Sequence, residues 1–301
     1  MALKKKVSVY RTNLVNVGIG QGQMQTVPYL ASVTEFTPGG LTRSQSSFSS
    51  EGILAEKMAW EYDENGRVRS QSYFSEDVEP SEIILFERNA KGDVLKETKQ
   101  YIDGSADTTT YVYDDKERLT EKITVDDEGK PDLREVFTWN ENLMVKREVF
   151  DAEGNITELD EYAYDAAGHM VEHRRVDEET GENFRMVSKY NEAGHKVKDQ
   201  LYDEDGELVE TSRYSFDKTG KVTSLAVESD DKNSTTRYLY DEKGNHLGHE
   251  EVNHEGDQVL WVEHTYDGEN NLTGSVVFAN GGRVAMSQHY ELQYVYEWFD
   301  E

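Results

Sequence analysis

The stretch Glu161–Gly168, E-Y-A-Y-D-A-A-G, decides the fold. Its Tyr-x-Tyr-Asp-x-x-Gly phrase returns as W-E-Y-D-E-N-G at Trp60–Gly66, R-Y-S-F-D-K-T-G at Arg213–Gly220 and R-Y-L-Y-D-E-K-G at Arg237–Gly244. The residues at the glycine position are Gly66, Gly92, Glu117, Leu143, Gly168, Gly194, Gly220, Gly244 and Asn270, spaced by 24–26 residues. A second series (Gly129, Gly154, Gly181, Gly206, Gly256, Gly282) falls between them. A fixed period of this kind marks a repeat architecture. Each half-repeat is long enough for one strand of eight or nine residues and one tight turn, which predicts an antiparallel β-meander of about 18 strands.

The turn has a physical basis. An Asp side chain accepts hydrogen bonds from backbone N–H groups just ahead of it, favouring the first position of a type I turn. The following Gly takes the left-handed conformation that a bulged hairpin needs. Asp63/Gly66, Asp151/Gly154, Asp165/Gly168, Asp203/Gly206 and Asp241/Gly244 fit this scheme. Glu117 and Leu143 stand where Gly is expected, so those two hairpins require another turn or carry strain.

Strand patterning has period two. The pairs Trp60/Tyr62, Tyr111/Tyr113, Phe137/Trp139, Tyr162/Tyr164, Tyr214/Phe216 and Tyr238/Tyr240, with Tyr190 and Tyr266, form one aromatic face. Same-face aromatics on neighbouring strands stabilise a sheet by about 0.2–1 kcal/mol per pair. The ladder reads as a structural spine; the functional alternative is a platform for ring-bearing ligands. The opposite face is rich in Glu, Lys, Arg, Thr and Ser and reads as wet. An 18-strand sheet cannot stay flat, so the expectation is an open superhelix or partial shell.

The 301 residues divide into a basic, Gly/Ser/Gln-rich capping segment (1–55), the repeat array (56–284) and a C-terminal capping strand (285–301). Residues 1–50 carry +4, against −33 for residues 51–301. The expectation is that residues 25–55 cap the first array strand while residues 1–20 lie as a tail along an acidic face. G-I-G-Q-G-Q, near Gly18–Gln23, reads as a loop and lacks the context of a phosphate-binding fingerprint. At the other end Tyr290, Leu292, Tyr294, Tyr296 and Trp298 share a face, and so apolar an edge must be covered.

A net charge of −29 argues against nucleic acid and for a basic protein partner. Cysteine is absent, which removes disulfides and thiol catalysis. There is no run of 18 apolar residues to span a membrane as a helix. Without a clear signal peptide the default location is cytoplasmic. D-E-D-G-E (203–207) and D-D-E-G-K (126–130) are acidic turns without the continuation of a calcium loop. His246, His249, His254 and His264 lie close in sequence, but strand geometry is expected to spread them apart. No catalytic residue, cofactor or metal site stands out from the repeat.

T-T-Y-V-Y-D-D-K-E-R-L-T (109–120), T-R-Y-L-Y-D-E-K-G-N (236–245) and W-E-Y-D-E-N-G-R-V (60–68) resemble the YD repeats of the RHS family. That family occurs in bacterial polymorphic toxins, insecticidal toxin complexes and teneurins. The resemblance covers about residues 56–284 and implies a long spiralling β-sheet, with a secreted or cell-surface location allowed. Only every second half-repeat carries the strong phrase, the period is longer than in that family, and no RHS core segment is evident. A looser likeness is to bacterial antitoxin-like proteins built of short Tyr/Gly strand repeats. The expected function is a non-catalytic interaction protein with a protein partner, either toxin-associated, immunity-like or a surface component. The alternatives are a carbohydrate-binding protein using Tyr and Trp rings, or a carbohydrate-active enzyme.

Overall fold

The computed structural model describes residues 3–16, 23–76, 79–280 and 287–300. The G-I-G-Q-G-Q loop falls almost wholly outside these residues, as does Gly282. The described chain is all β, antiparallel and without helix. It forms two compact units, Ile84–Asn233 and Met1–Ile83 with Ser234–Glu301.

The first strands in chain order are β1 (Lys4–Asn16), β2 (Gln23–Gln25), β3 (Tyr29–Phe36), β4 (Thr42–Phe48), β5 (Leu54–Tyr62), β6 (Val68–Ser75) and β7 (Glu82–Arg88). There follow β8 (Val94–Tyr101), β9 (Ala106–Tyr113), β10 (Leu119–Val125), β11 (Pro131–Asn140), β12 (Leu143–Phe150), β13 (Ile156–Tyr164), β14 (Met170–Asp177), β15 (Phe184–Tyr190) and β16 (Lys196–Tyr202). The chain continues through β17 (Leu208–Phe216), β18 (Val222–Ser229), β19 (Asn233–Tyr240), β20 (His246–Asn253), β21 (Gln258–Tyr266), β22 (Leu272–Ala279) and β23 (Gln288–Trp298). The predicted array corresponds to β5–β22, one strand per half-repeat.

The turn works as its chemistry predicts. Gly66 N–H donates to Asp63 O (3.0 Å), and Asp63 N–H donates to Arg67 O (2.9 Å). Asp63 Oδ1 accepts from the N–H groups of Asn65 and Arg67 at 2.8 and 2.9 Å. Gly66 has φ +76°, and the register shifts there by one residue, as a bulged hairpin requires. Asp165 repeats the pattern through Ala167 and His169.

The two hairpins without Gly solve the problem differently. Glu117 keeps the same turn, with its N–H on Asp114 O (2.9 Å), and bears φ +64°. Leu143 is not in the turn: it pairs with Asn140, leaving a two-residue connection in which Glu141 takes φ +52°. A β-carbon in the left-handed region costs energy that Gly does not pay. Glu117→Gly is therefore expected to stabilise by about 0.5–1 kcal/mol in urea unfolding, after loss of the exposed Lys91–Glu117 pair. A destabilised variant would show that the pair outweighs the strain.

The open superhelix or partial shell is overturned by β1. This strand pairs along its length with β23, from Lys4↔Trp298 to Asn13↔Tyr290. Its other edge pairs with β3, from Lys6↔Glu35 to Arg11↔Tyr29. Within the unit Met1–Ile83 with Ser234–Glu301, β1 therefore bridges β3 and β23, so neither end of the meander is left as a free edge. Residues 4–16 are thus an integral strand and not a basic tail. The basic residues are used locally: Lys6 Nζ bonds Glu297 at 2.9 Å, Lys4 sits over Tyr296, and Arg11 lies 3.8 Å from the Tyr290 ring centroid.

Packing is unusual for a chain this long. Among the described residues Val149, 1% exposed, is the buried apolar side chain, while Asp160, Asp177, Ser188, Ser212 and Ser234 are buried polar ones. Stability therefore rests heavily on ladder hydrogen bonds, half-buried rings and paired charges.

Candidate functional site: spine, charge cluster and acidic turns

Every ring of the expected spine is half-buried: Trp60 and Tyr62 on β5, Tyr111 and Tyr113 on β9, Phe137 and Trp139 on β11, Tyr162 and Tyr164 on β13, Tyr190 on β15, Tyr214 and Phe216 on β17, Tyr238 and Tyr240 on β19, Tyr266 on β21. In many of the hairpins the ring just before the turn reaches back to the preceding strand. Tyr62 donates to Thr42 O, Tyr113 to Val94 O, Tyr164 to Met144 O, Tyr190 to Met170 O and Tyr266 to His246 O, at 2.6–2.9 Å. Trp139 Nε1 does the same to Leu119 O at 2.7 Å. The polar tip thus ties these hairpins to their predecessors. Burial raises the Tyr62, Tyr113 and Tyr164 phenol pKa above the usual value, so the proton stays on the donor.

The residue after the turn packs onto the next repeat. His169 stacks on Tyr190 and His195 on Phe216, both at 4.7 Å between centroids. A β-carbon on Gly194 or Gly220 would stand 3.1 Å from those imidazoles, so the glycine makes room for the ring as well as turning the chain. Tyr164→Ala is expected to cost about 2–4 kcal/mol in urea unfolding and Tyr164→Phe about 1 kcal/mol. An unmoved transition in Tyr164→Ala would remove the spine's structural role.

The spine face is not purely aromatic. On β12–β14 it holds a cluster of buried charge. Arg147 Nε donates to Glu135 (2.8 Å), and its Nη1 donates to Glu158 (2.7 Å) and Asp160 (3.1 Å). Arg175 reaches Glu158 (3.2 Å) and Asp177 (2.9 Å), and His173 Nε2 meets Asp160 at 2.8 Å. Tyr162 stacks on His173 at 4.7 Å. Asp177 is held down at about 2, first by the Thr180 N–H and then by Thr180 and Arg175 side-chain contacts, against the opposing effect of burial. Its ionised form is thus favoured in the fold. The stability it contributes is full above the ordinary carboxylate pKa and is lost as pH falls through about 2. These carboxylates are each held by a cation, so the cluster is a rigid strut without a free general base.

The face opposite the spine carries cross-strand pairs. In the unit Ile84–Asn233 these include Arg134–Glu121, Arg174–Glu161, Arg185–Glu172 and Arg213–Glu228; in the other unit, Arg237–Glu250 and Lys6–Glu297.

The turns of the unit Ile84–Asn233 differ at its two rims. Alternate turns of a meander emerge at the same edge. One row is I-D-G-S (102–105), D-D-E-G-K (126–130), D-A-E-G-N (151–155), E-E-T-G-E (178–182), D-E-D-G-E (203–207) and D-D-K (230–232), and every turn is net negative, reaching −3 and −4 in 178–182 and 203–207. The opposite row is N-A-K-G-D, D-D-K-E-R, E-N, D-A-A-G-H, N-E-A-G-H and D-K-T-G-K, none beyond −1. Glu153, Glu178, Glu179, Asp205 and Glu207 are exposed and make no ion pair among the described residues. Asp151 and Asp203 serve their own turns, bonding Asn155 N–H and Glu207 N–H at 2.8 Å.

The histidines depart from expectation. His254 lies on a turn, but His246, His249 and His264 converge on the spine face. The ring centroids are 5.6 Å apart for His246–His249 and 5.3 Å for His246–His264. No group of three His, Asp or Glu among the described residues is arranged to hold a metal ion. The signal was present in part, because His264 has the parity of Tyr266. The bulge after the turn, which skips Leu247 between His246 opposite Tyr240 and Gly248 opposite Leu239, turns His246 and His249 to one side.

No family model matches the chain, and no curated protein does. Several solved structures are similar at low identity. A crystal structure of TcdB2-TccC3-TEV is 12% identical over 87% of this chain, with TM-score 0.34; the chain spans 18% of that protein. A porin-like protein from Bacteroides uniformis ATCC 8492 is 11% identical, covering 98% of both chains, with TM-score 0.33. A porin-like protein from Bacteroides vulgatus ATCC 8482 is 9% identical over 99% of both, with TM-score 0.23. Among the described residues no helix is long and apolar enough to cross a membrane.

Proposed function

We propose that this chain is a non-catalytic interaction protein that docks a basic protein partner on the acidic turn row of residues 84–233. The row of turns at 126–130, 151–155, 178–182 and 203–207 carries the reading, because its exposed Glu153, Glu178, Glu179, Asp205 and Glu207 make no ion pair among the described residues, although Glu128 pairs with Lys130 and Glu182 with Arg175, while charges on the strands are paired across the sheet. Complementary charge of this density steers association and sets specificity. The YD-like phrase supports the placement among toxin-associated or immunity-like binders. A polyanion such as nucleic acid would be repelled. Lipid contact is disfavoured because both faces carry charge, in the Arg174–Glu161 and Arg213–Glu228 pairs on one and the Arg147 and Arg175 cluster on the other, where a membrane barrel needs one apolar band about 25 Å tall. The rings are poor stacking platforms, being half-buried with their polar tips committed to backbone carbonyls. The charged cluster offers no uncommitted acid for an enzyme.

A pull-down from the source cell at about 50 and 500 mM salt tests the reading. The expected result is a basic protein captured at low salt and released at high salt, and lost when Glu178, Glu179, Asp205 and Glu207 are changed to Gln or Asn. Capture that ignores both salt and these substitutions, or a glycan as the salt-insensitive ligand, would overturn it.

A further inference from the structure

The three converging histidines belong to one compact unit and to consecutive strands. His246 and His249 lie on β20 and His264 on β21, with Tyr238 opposite His249 on β19. His246 Nε2 and His249 Nδ1 are buried and have no hydrogen-bond partner, whereas His264 Nδ1 meets Ser275 Oγ of β22 at 2.8 Å. Tyr238 and Tyr240 lie 5.5–6.0 Å from His246, and Tyr238 lies 5.7 Å from His249.

The surroundings are adverse to positive charge. From β19 the trio faces the two phenols, from β21 Val262 and Tyr266, and from β22 Ser275. Glu251, two residues beyond His249 on β20, is the carboxylate acting on His249; it also accepts from Ser234 Oγ at 2.6 Å. Glu250 and Glu263 belong to the other face, Glu250 paired with Arg237 and Glu263 opposite Gly248. Burial, and then His246, pull the His249 pKa down, outweighing Glu251. The same two causes, with His249 third, pull down His264.

We propose that the His246–His249–His264 trio makes β20–β21 a proton-released latch, held closed by neutral imidazoles and loosened in mildly acidic solution. A proton on one ring places a cation against two other rings in a site with two unpaired nitrogens, and local opening to water relieves it. The sign follows from linkage. The folded site binds protons less readily than the unfolded one, so the stability it contributes is full above the ordinary imidazole pKa of about 6.5 and is lost as pH falls below it. The response is local, because the three rings lie on β20 and β21, whereas the histidine of the β13–β14 hairpin, His173, sits against Asp160 at 2.8 Å.

Two measurements on the full chain test this. Imidazole NMR titration is expected to place His249 and His264 below 6.5. Hydrogen exchange, corrected for intrinsic rate, is expected to show protection of β20 and β21 falling severalfold more than that of β13 and β14 between pH 7.5 and 5.0. His246→Phe/His249→Phe, which keeps ring volume without the titrating nitrogens, should abolish the difference, while the turn variant His254→Gln should keep it. If the double variant does not fold, the titration and exchange of the unaltered protein still decide. Imidazoles titrating at or above 6.5, or equal loss of protection in both hairpins, would overturn the latch.

Discussion

Replacing Arg147 with Ala is expected to lower the unfolding free energy by about 3–5 kcal/mol. The guanidinium holds three carboxylates, Glu135, Glu158 and Asp160, and Asp160 is only 2% exposed. Removing the cation leaves negative charges facing one another in a place where water cannot screen them. Arg175 compensates in part through Glu158 and Asp160, which keeps the effect from exceeding that range. Arg174→Ala, two strands over on the opposite face, removes only the exposed pair with Glu161 and should cost within about 1 kcal/mol. Urea unfolding of both variants makes the comparison. Equal effects would mean that the cluster adds nothing beyond a surface pair, and the spine face would lose its proposed strut.

Gly248→Ala is expected to cost about 3 kcal/mol or more, and to act locally on β20–β21. Gly248 has φ +137°, and a β-carbon there would stand 1.9 Å from Val262 O and 2.8 Å from Val262 C. Those atoms are backbone of the paired strand, so relief requires the ladder itself to part. Strained backbone and overpacking contribute about 1–3 kcal/mol each. Gly256 provides the contrast: φ is +85° with nothing within 4 Å of an added β-carbon. Gly256→Ala meets only the conformational penalty, about 1–2 kcal/mol. Thermal melts of the two variants should separate clearly. A Gly248→Ala protein as stable as Gly256→Ala would show that β20 can slide away from β21 without penalty.

The sequence determined what local chemistry can determine. The Asp and Gly of each phrase set the turn within five residues, and alternation set which side chains share a face. Antiparallel pairing of neighbours and the shared face of the rings follow from those two rules, whereas the strand number does not, since β1–β4 precede the predicted array. Even the exceptions were visible as positions, since Glu117 and Leu143 stood where Gly was expected, although the two different solutions were not.

Tertiary structure decided three things. The covering of the terminal edges depends on β1 and β23 meeting across 277–294 residues of chain, from Asn13↔Tyr290 to Lys4↔Trp298, and a strand edge carries no sequence mark of its distant partner. The −3 and −4 turns became a row only once alternate hairpins were placed at one edge. The buried charges shared parity with Tyr162, through Glu158 and Asp160, yet their meeting with Arg147 and Arg175 depends on register across β12, β13 and β14. Period two fixes the face a residue occupies; only the pairing between strands fixes which charge lies opposite, and that offset decides whether a buried carboxylate finds its guanidinium.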